Sequence, residues 1–138
     1  MQIKQISVFL ENNAGRLAEV TKIIAKAEVN IRAISIADTA DFGILRIIAD
    51  KAETAMSALS NAGFTARMTD VLAVEIPDTP GSLARIMELF QRTSVNIEYL
   101  YASLEGETGK AVVIFKVDDI AHGLEIVKEN GLSTLDAF

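Results

Sequence analysis

Few side chains in this sequence are equipped for covalent or acid–base chemistry. It has one histidine, His122, and no cysteine, which removes thiolate nucleophiles, thiolate metal sites and disulfides. Asp118 and Asp119 are adjacent acids of a kind that can ligate a metal, but they fall where a strand hands over to a helix. Acids in that position cap the helix and complement its dipole. The position matching His122 in an internal repeat is Thr54, which does not titrate, so His122 reads as structural or solvated. With no nucleophile–base pair in view, no catalytic residue, metal ligand or cofactor is expected.

The chemistry the sequence does offer is reversible binding, and it offers it twice. Asn12-Asn13-Ala14-Gly15-Arg16-Leu17-Ala18 leads through an apolar helical stretch to Val29-Asn30-Ile31. Asp78-Thr79-Pro80-Gly81-Ser82-Leu83-Ala84 leads in the same way to Val95-Asn96-Ile97, so that residue n is answered by residue n + 66. Each glycine turn sets a small backbone at a helix N-terminus, where unpaired N–H groups and a partial charge of roughly +0.5 face outward. Such a terminus receives a carboxylate. The alternative is architectural: Gly-x-Leu starts a helix packed closely on a sheet. Asn30 and Asn96 are equally double in meaning. An Asn amide both donates and accepts, which suits the ammonium and carboxylate of an amino acid, and Asn also tolerates left-handed turns.

These motifs sit in a repeated pattern of elements. Ile6, Val8 and Leu10 alternate with Ser7 and Phe9, and Leu72, Val74 and Ile76 do the same, giving first strands. Leu17, Val20, Ile24 and Ala27 fall on one helical face, matched by Leu83, Ile86, Phe90 and Thr93. Asn13 and Thr79 are the expected N-caps, with Pro80 as first helical residue. Second strands run from Ile31 to Ala37 and from Ile97 to Leu104. Turns at Asp38–Asp41 and Glu105–Gly109, where the second repeat is longer by two residues and the offset becomes 68, lead to third strands at Ile44–Ala49 and Val112–Val117. Glu105 and Glu107 read as solvated loop charges. Asp50 and Asp118 are the expected caps of second helices, Glu53 completing a capping box with Asp50. The apolar stripes of these helices are Ala55, Ala58 and Leu59 in one copy and Leu124, Ile126 and Val127 in the other. Gly63 and Gly131 end these helices, before last strands at Phe64–Met68 and Leu132–Phe138.

Strand, helix, strand, strand, helix, strand, repeated, predicts an α+β chain of two ferredoxin-like domains, residues 1–69 and 70–138, each an antiparallel sheet with helices on one face. The third strands are apolar on both faces. Ile44, Ile48, Val112 and Ile114 are the set expected to face away from the helices and to be covered in an assembled protein, a homodimer.

This fold hosts many functions, and the residues exclude several. Metal carriage needs paired cysteines. RNA binding needs exposed aromatics with a basic rim, whereas Tyr99 and Tyr101 lie in a chain of net charge −6 and have Ala33 and Ser35 as counterparts. An acyl-phosphate hydrolase needs a phosphate-cradling loop with an Arg; Arg16 qualifies, but Ser82 replaces it in the second copy. The N-terminus enters a strand at once and no apolar run is long enough for a membrane helix, so the cytoplasm is the expected location.

The Asp78–Ala84 turn followed by Ser94-Val95-Asn96-Ile97 resembles the ACT domain, with its acidic-x-Pro-Gly-x-Leu turn and later Asn-Ile. The first copy departs from the pattern, with Asn12 for the acid and Ala14 for the proline, while Gly15, Leu17, Asn30 and Ile31 remain. The resemblance covers essentially the whole chain as a tandem pair. It implies a non-catalytic regulatory protein that binds a small molecule, an amino acid, where ACT-like domains meet. The ligand contacts come from the first loop of one domain and the second strand of its partner. By position these are Asn12, Asn13, Ala14, Gly15, Arg16 and Leu17 with Asn30 and Ile31. The other set is Asp78, Thr79, Pro80, Gly81, Ser82 and Leu83 with Asn96 and Ile97. A homodimer and a regulated enzyme partner are implied, with no nucleic acid and no membrane. The alternative is a partner subunit that binds another protein and no ligand.

Overall fold

Alternation in the first residues becomes β1 (Gln2–Glu11), and the elements that follow are α1 (Arg16–Lys26), β2 (Ile31–Asp38), β3 (Phe42–Ala49) and α2 (Ala52–Asn61). Next come β4 (Thr65–Pro77), α3 (Ser82–Arg92), β5 (Ile97–Ala102), β6 (Lys110–Val117), α4 (Ile120–Glu129) and β7 (Ser133–Thr134). The computed structural model describes residues 2–11, 13–38, 41–103 and 108–135, without the side chains of Gln2 and Asp38. The expected loop residues Thr39, Ala40, Glu105 and Glu107 and the end of the last strand, from residue 136, lie outside the described residues. The two strands expected at Phe64–Met68 and Leu72–Ile76 are one strand, β4, of 13 residues.

The chain divides into two compact units, built on Lys4–Thr69 and on Asp70–Ala137. In the first the strand order is β2-β3-β1-β4 and in the second β5-β6-β4-β7, and β3 pairs antiparallel with β1 and β2, as does β6 with β4 and β5 and β7 with β4. This is the ferredoxin-like order, and each unit carries two helices on one face of its sheet. In the first, Ile6, Val8, Leu10, Leu45 and Ile47 pack with Val20, Ile24, Ala55 and Leu59. In the second, Leu72, Val74, Ile76, Val113 and Phe115 pack with Ile86, Phe90, Ile126 and Val127. The set facing away from the helices is the expected one. Ile48, Val112 and Ile114 are buried, while Ile44 is 37% exposed.

The helical stripe needs correction at its first position. Leu17 and Leu83 are 42% and 39% exposed. Each sits in the first turn, before the helix axis has carried the stripe over the sheet, and the core stripe begins three residues later at Val20 and Ile86.

The second helices are capped differently from expectation. In α2 the N-cap is Lys51, with no side-chain cap bond, so neither Asp50 nor Glu53 closes a box. In α4 the cap is Asp119, whose Oδ1 accepts from the His122 amide at 3.1 Å. Asp50 and Asp118 instead hold the start of the second strands. Asp50 Oδ1 accepts from the Asn30 amide at 3.0 Å, and the Asp50 amide donates to the Asn30 carbonyl at 3.1 Å. Asp118 repeats this with Asn96 at 3.1 and 3.0 Å. A carboxylate one residue before the cap position reaches sideways to a neighbouring strand rather than along its own helix.

All four helices end in the paired backbone bonds of a Schellman turn, such as Phe64 N–H to Leu59 O and Val95 N–H to Phe90 O. Gly63 and Gly131 take the left-handed position after α2 and α4, but Glu28 and Ser94 take it after α1 and α3, at φ 59° and 60°. A side chain there costs about 1–2 kcal/mol, and glycine returns about 0.5–1 kcal/mol of that as unfolded-chain entropy. Glu28→Gly and Ser94→Gly should therefore each stabilise the protein by up to about 1 kcal/mol. Urea denaturation checks this, and a lower midpoint in both variants would contradict it.

Candidate ligand-binding site

The two glycine turns have nearly the same shape. Gly15 lies at φ 88°, ψ −12° and Gly81 at φ 88°, ψ −7°, and these glycines, not Asn13 and Thr79, are the N-cap residues. Pro80 stands outside the helix that it was expected to begin. A main-chain turn precedes each helix, with Arg16 N–H on Asn13 O at 3.3 Å and Ser82 N–H on Thr79 O at 3.2 Å. Thr79 spends its hydroxyl on Ser82 Oγ, 2.9 Å away, and Asn13 donates its side-chain amide to Glu11 at 3.0 Å. Neither helix receives a side-chain cap. The amides of Leu17 and Ala18, and of Leu83 and Ala84, have no acceptor among the described residues. Asn12 lies outside the described residues.

The glycines answer to backbone geometry. A Cβ at Gly15 or Gly81 would meet nothing within 4 Å in this chain, but φ of +88° is a conformation L residues rarely adopt. Electrostatics separates the loops. Glu19 stands in the first turn of α1 and accepts from Arg16 Nη1 at 3.0 Å. The first turn of α3 holds no acid, and Arg85 is near. An anion approaching α3 meets no acid in its first turn, although Asp78 stands in the loop before it.

Asn30 and Asn96 are not the left-handed residues; those are Glu28 and Ser94. Their main chains are held by Asp50 and Asp118, while their side chains are exposed, with no partner among the described residues. Within a unit the loop and the Asn do not meet. Gly81 and Asn96 lie beyond opposite ends of α3, whose 11 residues rise about 16 Å. Gly15 and Asn30 stand the same way about α1. Ile31 and Ile97, which open the second strands beside them, are half-buried.

The family model of the ACT domain pair matches residues 1–137. The chain belongs to the ACT domain family. Among solved structures, this ACT domain pair is similar to protein BT0572 from Bacteroides thetaiotaomicron, at 38% identity and TM-score 0.92, over 98% of this chain and 92% of that one. It also resembles the regulatory subunit of aspartate kinase from Thermus thermophilus in its ligand-free form, at 19% identity and TM-score 0.67, over 93% and 92% of the two chains. The corresponding subunit from Thermus flavus gives 20% identity and TM-score 0.63, over 91% and 90%. At these lower identities the likeness is one of fold. No curated protein matches the chain in sequence.

One ACT loop already borders a cavity. A space of about 260 Å³ lies against Asn13, Arg16 and Leu17, closed by Leu10, Glu11, Ile36 and Gly43. Arg16 Nε is buried beside it without a hydrogen-bond partner. The last four residues escaped the sequence reading. Gly43 pairs with Leu10 across β1 and β3, a contact that only the folded register creates. The second loop, whose helix has no acid in its first turn, and the Arg-bearing first loop are therefore not equivalent.

Elsewhere the described residues offer little chemistry. His122 is half-buried, and no group of three or more metal-ligating side chains forms among them. Tyr101 is 8% exposed and presents no stacking platform. No described helix is long and apolar enough to cross a membrane.

Proposed function

We propose that this ACT domain pair is a non-catalytic, cytoplasmic regulatory protein that binds an amino acid between ACT-like domains, residues 1–69 and 70–138, within a homodimer. The observation that carries the reading is the start of α3: a helix with no side-chain cap, no acid in its first turn and unpaired amides behind a left-handed glycine. That is a carboxylate receptor left open. Because Asn96 stands at the far end of the same helix, its amide serves a ligand held by the loop of another domain. Exposed Leu17 and Leu83 fit a site completed by a second surface. Binding then favours one arrangement of domains over others, and that difference in affinity is the regulatory signal to an enzyme partner.

A melting screen of the pure protein against the twenty amino acids tests this. A ligand at 100 times its Kd should add about 2.7 kcal/mol of stability, and equilibrium sedimentation should give a dimer at micromolar concentration. A monomer whose melting no amino acid raises would overturn the proposal.

A second reading, a subunit that binds protein and no ligand, has one observation in its favour. Phe9, Phe42 and Ile44 form an apolar patch on the helix-free face of the first unit, 49%, 45% and 37% exposed, with the two rings 5.0 Å apart. The counterparts of the rings are Glu75 and Lys110, which make an ion pair at 3.3 Å. Failure of the melting screen with a protein partner retained would favour this reading.

A further inference from the structure

Two replacements between the repeats empty a space in the second unit. In the first unit Arg16 reaches from the start of α1 over Phe64, its guanidinium carbon 4.5 Å from the ring centroid. The counterparts are Ser82 and Leu132, a short hydroxyl and an aliphatic chain with no ring to cover. A cavity of about 210 Å³ opens there beside α3, with Ser82, Ile86, Leu89 and Leu132 among its lining residues.

Its rim is cationic. Arg85 and Arg92 both line it and stand two turns apart on one side of α3. Their counterparts are Glu19, tied to Arg16, and Lys26. No Asp or Glu lines this cavity. Neither arginine has an ion-pair partner among the described residues, although the chain as a whole carries a net charge of −6. A guanidinium pairs with a carboxylate through two parallel hydrogen bonds. Hydrocarbon laid on Ile86, Leu89 and Leu132 is removed from water, a gain of about 0.8 kcal/mol per buried CH₂.

We propose that this groove is a second ligand site that binds an aliphatic carboxylate, with the head group at Arg85 and Arg92 and the chain on Ile86, Leu89 and Leu132. It shares only Ser82 with the loop site and does not depend on the loop's function.

Octanoate titrated into the intact, methyl-labelled protein and followed by NMR tests the site, with octan-1-ol and octylamine as chain-matched controls. Octanoate should give saturable shifts at the methyls of Ile86, Leu89 and Leu132, with octan-1-ol at least roughly tenfold weaker and octylamine weaker still. Arg92→Gln should weaken octanoate about tenfold and leave octan-1-ol unchanged. Leu132→Phe, which restores the ring of the first unit, should close the groove. Both variants should keep any amino-acid binding by the loops, so failure of the loop site and failure of the groove are read separately. Equal affinity for octanoate and octan-1-ol, an unchanged affinity in Arg92→Gln, or shifts confined to other methyls such as those of Leu17 would overturn the proposal.

Discussion

Gly81→Val should abolish amino-acid binding at the second loop, and Asn96→Ala should weaken it about ten- to a hundredfold. The second figure is the loss of one bond to a charged group, about 1.5–3 kcal/mol. The first is total because a branched side chain would fill space beside the loop that is open in the parent and that the ligand carboxylate is expected to enter. Gly15→Val should matter less to a carboxylate held by helix amides alone, since Glu19 already opposes an anion at that loop. Backbone strain accompanies either change, because φ of +88° disfavours any L residue. Gly81→Ala carries the same kind of strain with less obstruction, so it should lose stability but keep more binding. Isothermal calorimetry on variants that retain the parent's melting transition separates obstruction from unfolding. Folded Gly81→Val that binds its amino acid as tightly as the parent would make the loop architecture only.

Phe90→Ala should be the most destabilising single truncation in the second unit, at about 3–5 kcal/mol. Phe90 is 1% exposed and meets Phe115, itself fully buried, edge to face with ring centroids 5.5 Å apart. Removing it loses the transfer energy of the ring, leaves a cavity and strips an aromatic partner worth about 0.5–1.5 kcal/mol. Against a typical total stability of about 5–15 kcal/mol this is a large fraction. Its counterpart Ile24 is equally buried among aliphatic side chains, so Ile24→Ala should cost less, about 2–5 kcal/mol. Parallel urea denaturations check the order, and Ile24→Ala costing more than Phe90→Ala would show that the first unit's core limits the fold.

Much of the fold was legible in the sequence, for a physical reason. Period-two alternation in Ile6, Val8 and Leu10 can bury those residues only as a strand. The period of Val20 and Ile24 suits only a helix, and repetition removed accidents from both. The left-handed turns at Gly63 and Gly131 were legible because glycine is the residue for which that conformation costs least, whereas at Gly15 and Gly81 the turn was legible but the left-handed cap itself was not. The residues of the glycine loops were nameable by position, since a helix start is a local feature.

Partners across sequence distance were not legible. That Asp50 and Asp118 bind the main chains of Asn30 and Asn96, rather than capping helices, depends on the end of one strand lying beside the start of another, with the bonded residues 20 and 22 apart in the chain. An acid before a helix looks the same in either role. Likewise Phe64 under Arg16, and the cavity left where Leu132 and Ser82 stand instead, require the end of α2 or α4 to come beside the start of α1 or α3. The sequence by itself determined which segments fold and roughly where each helix starts, because backbone geometry and burial periodicity are short-range. Only the tertiary structure decided which carboxylates are already taken and which cations remain uncompensated, because those are settled by neighbours that packing supplies.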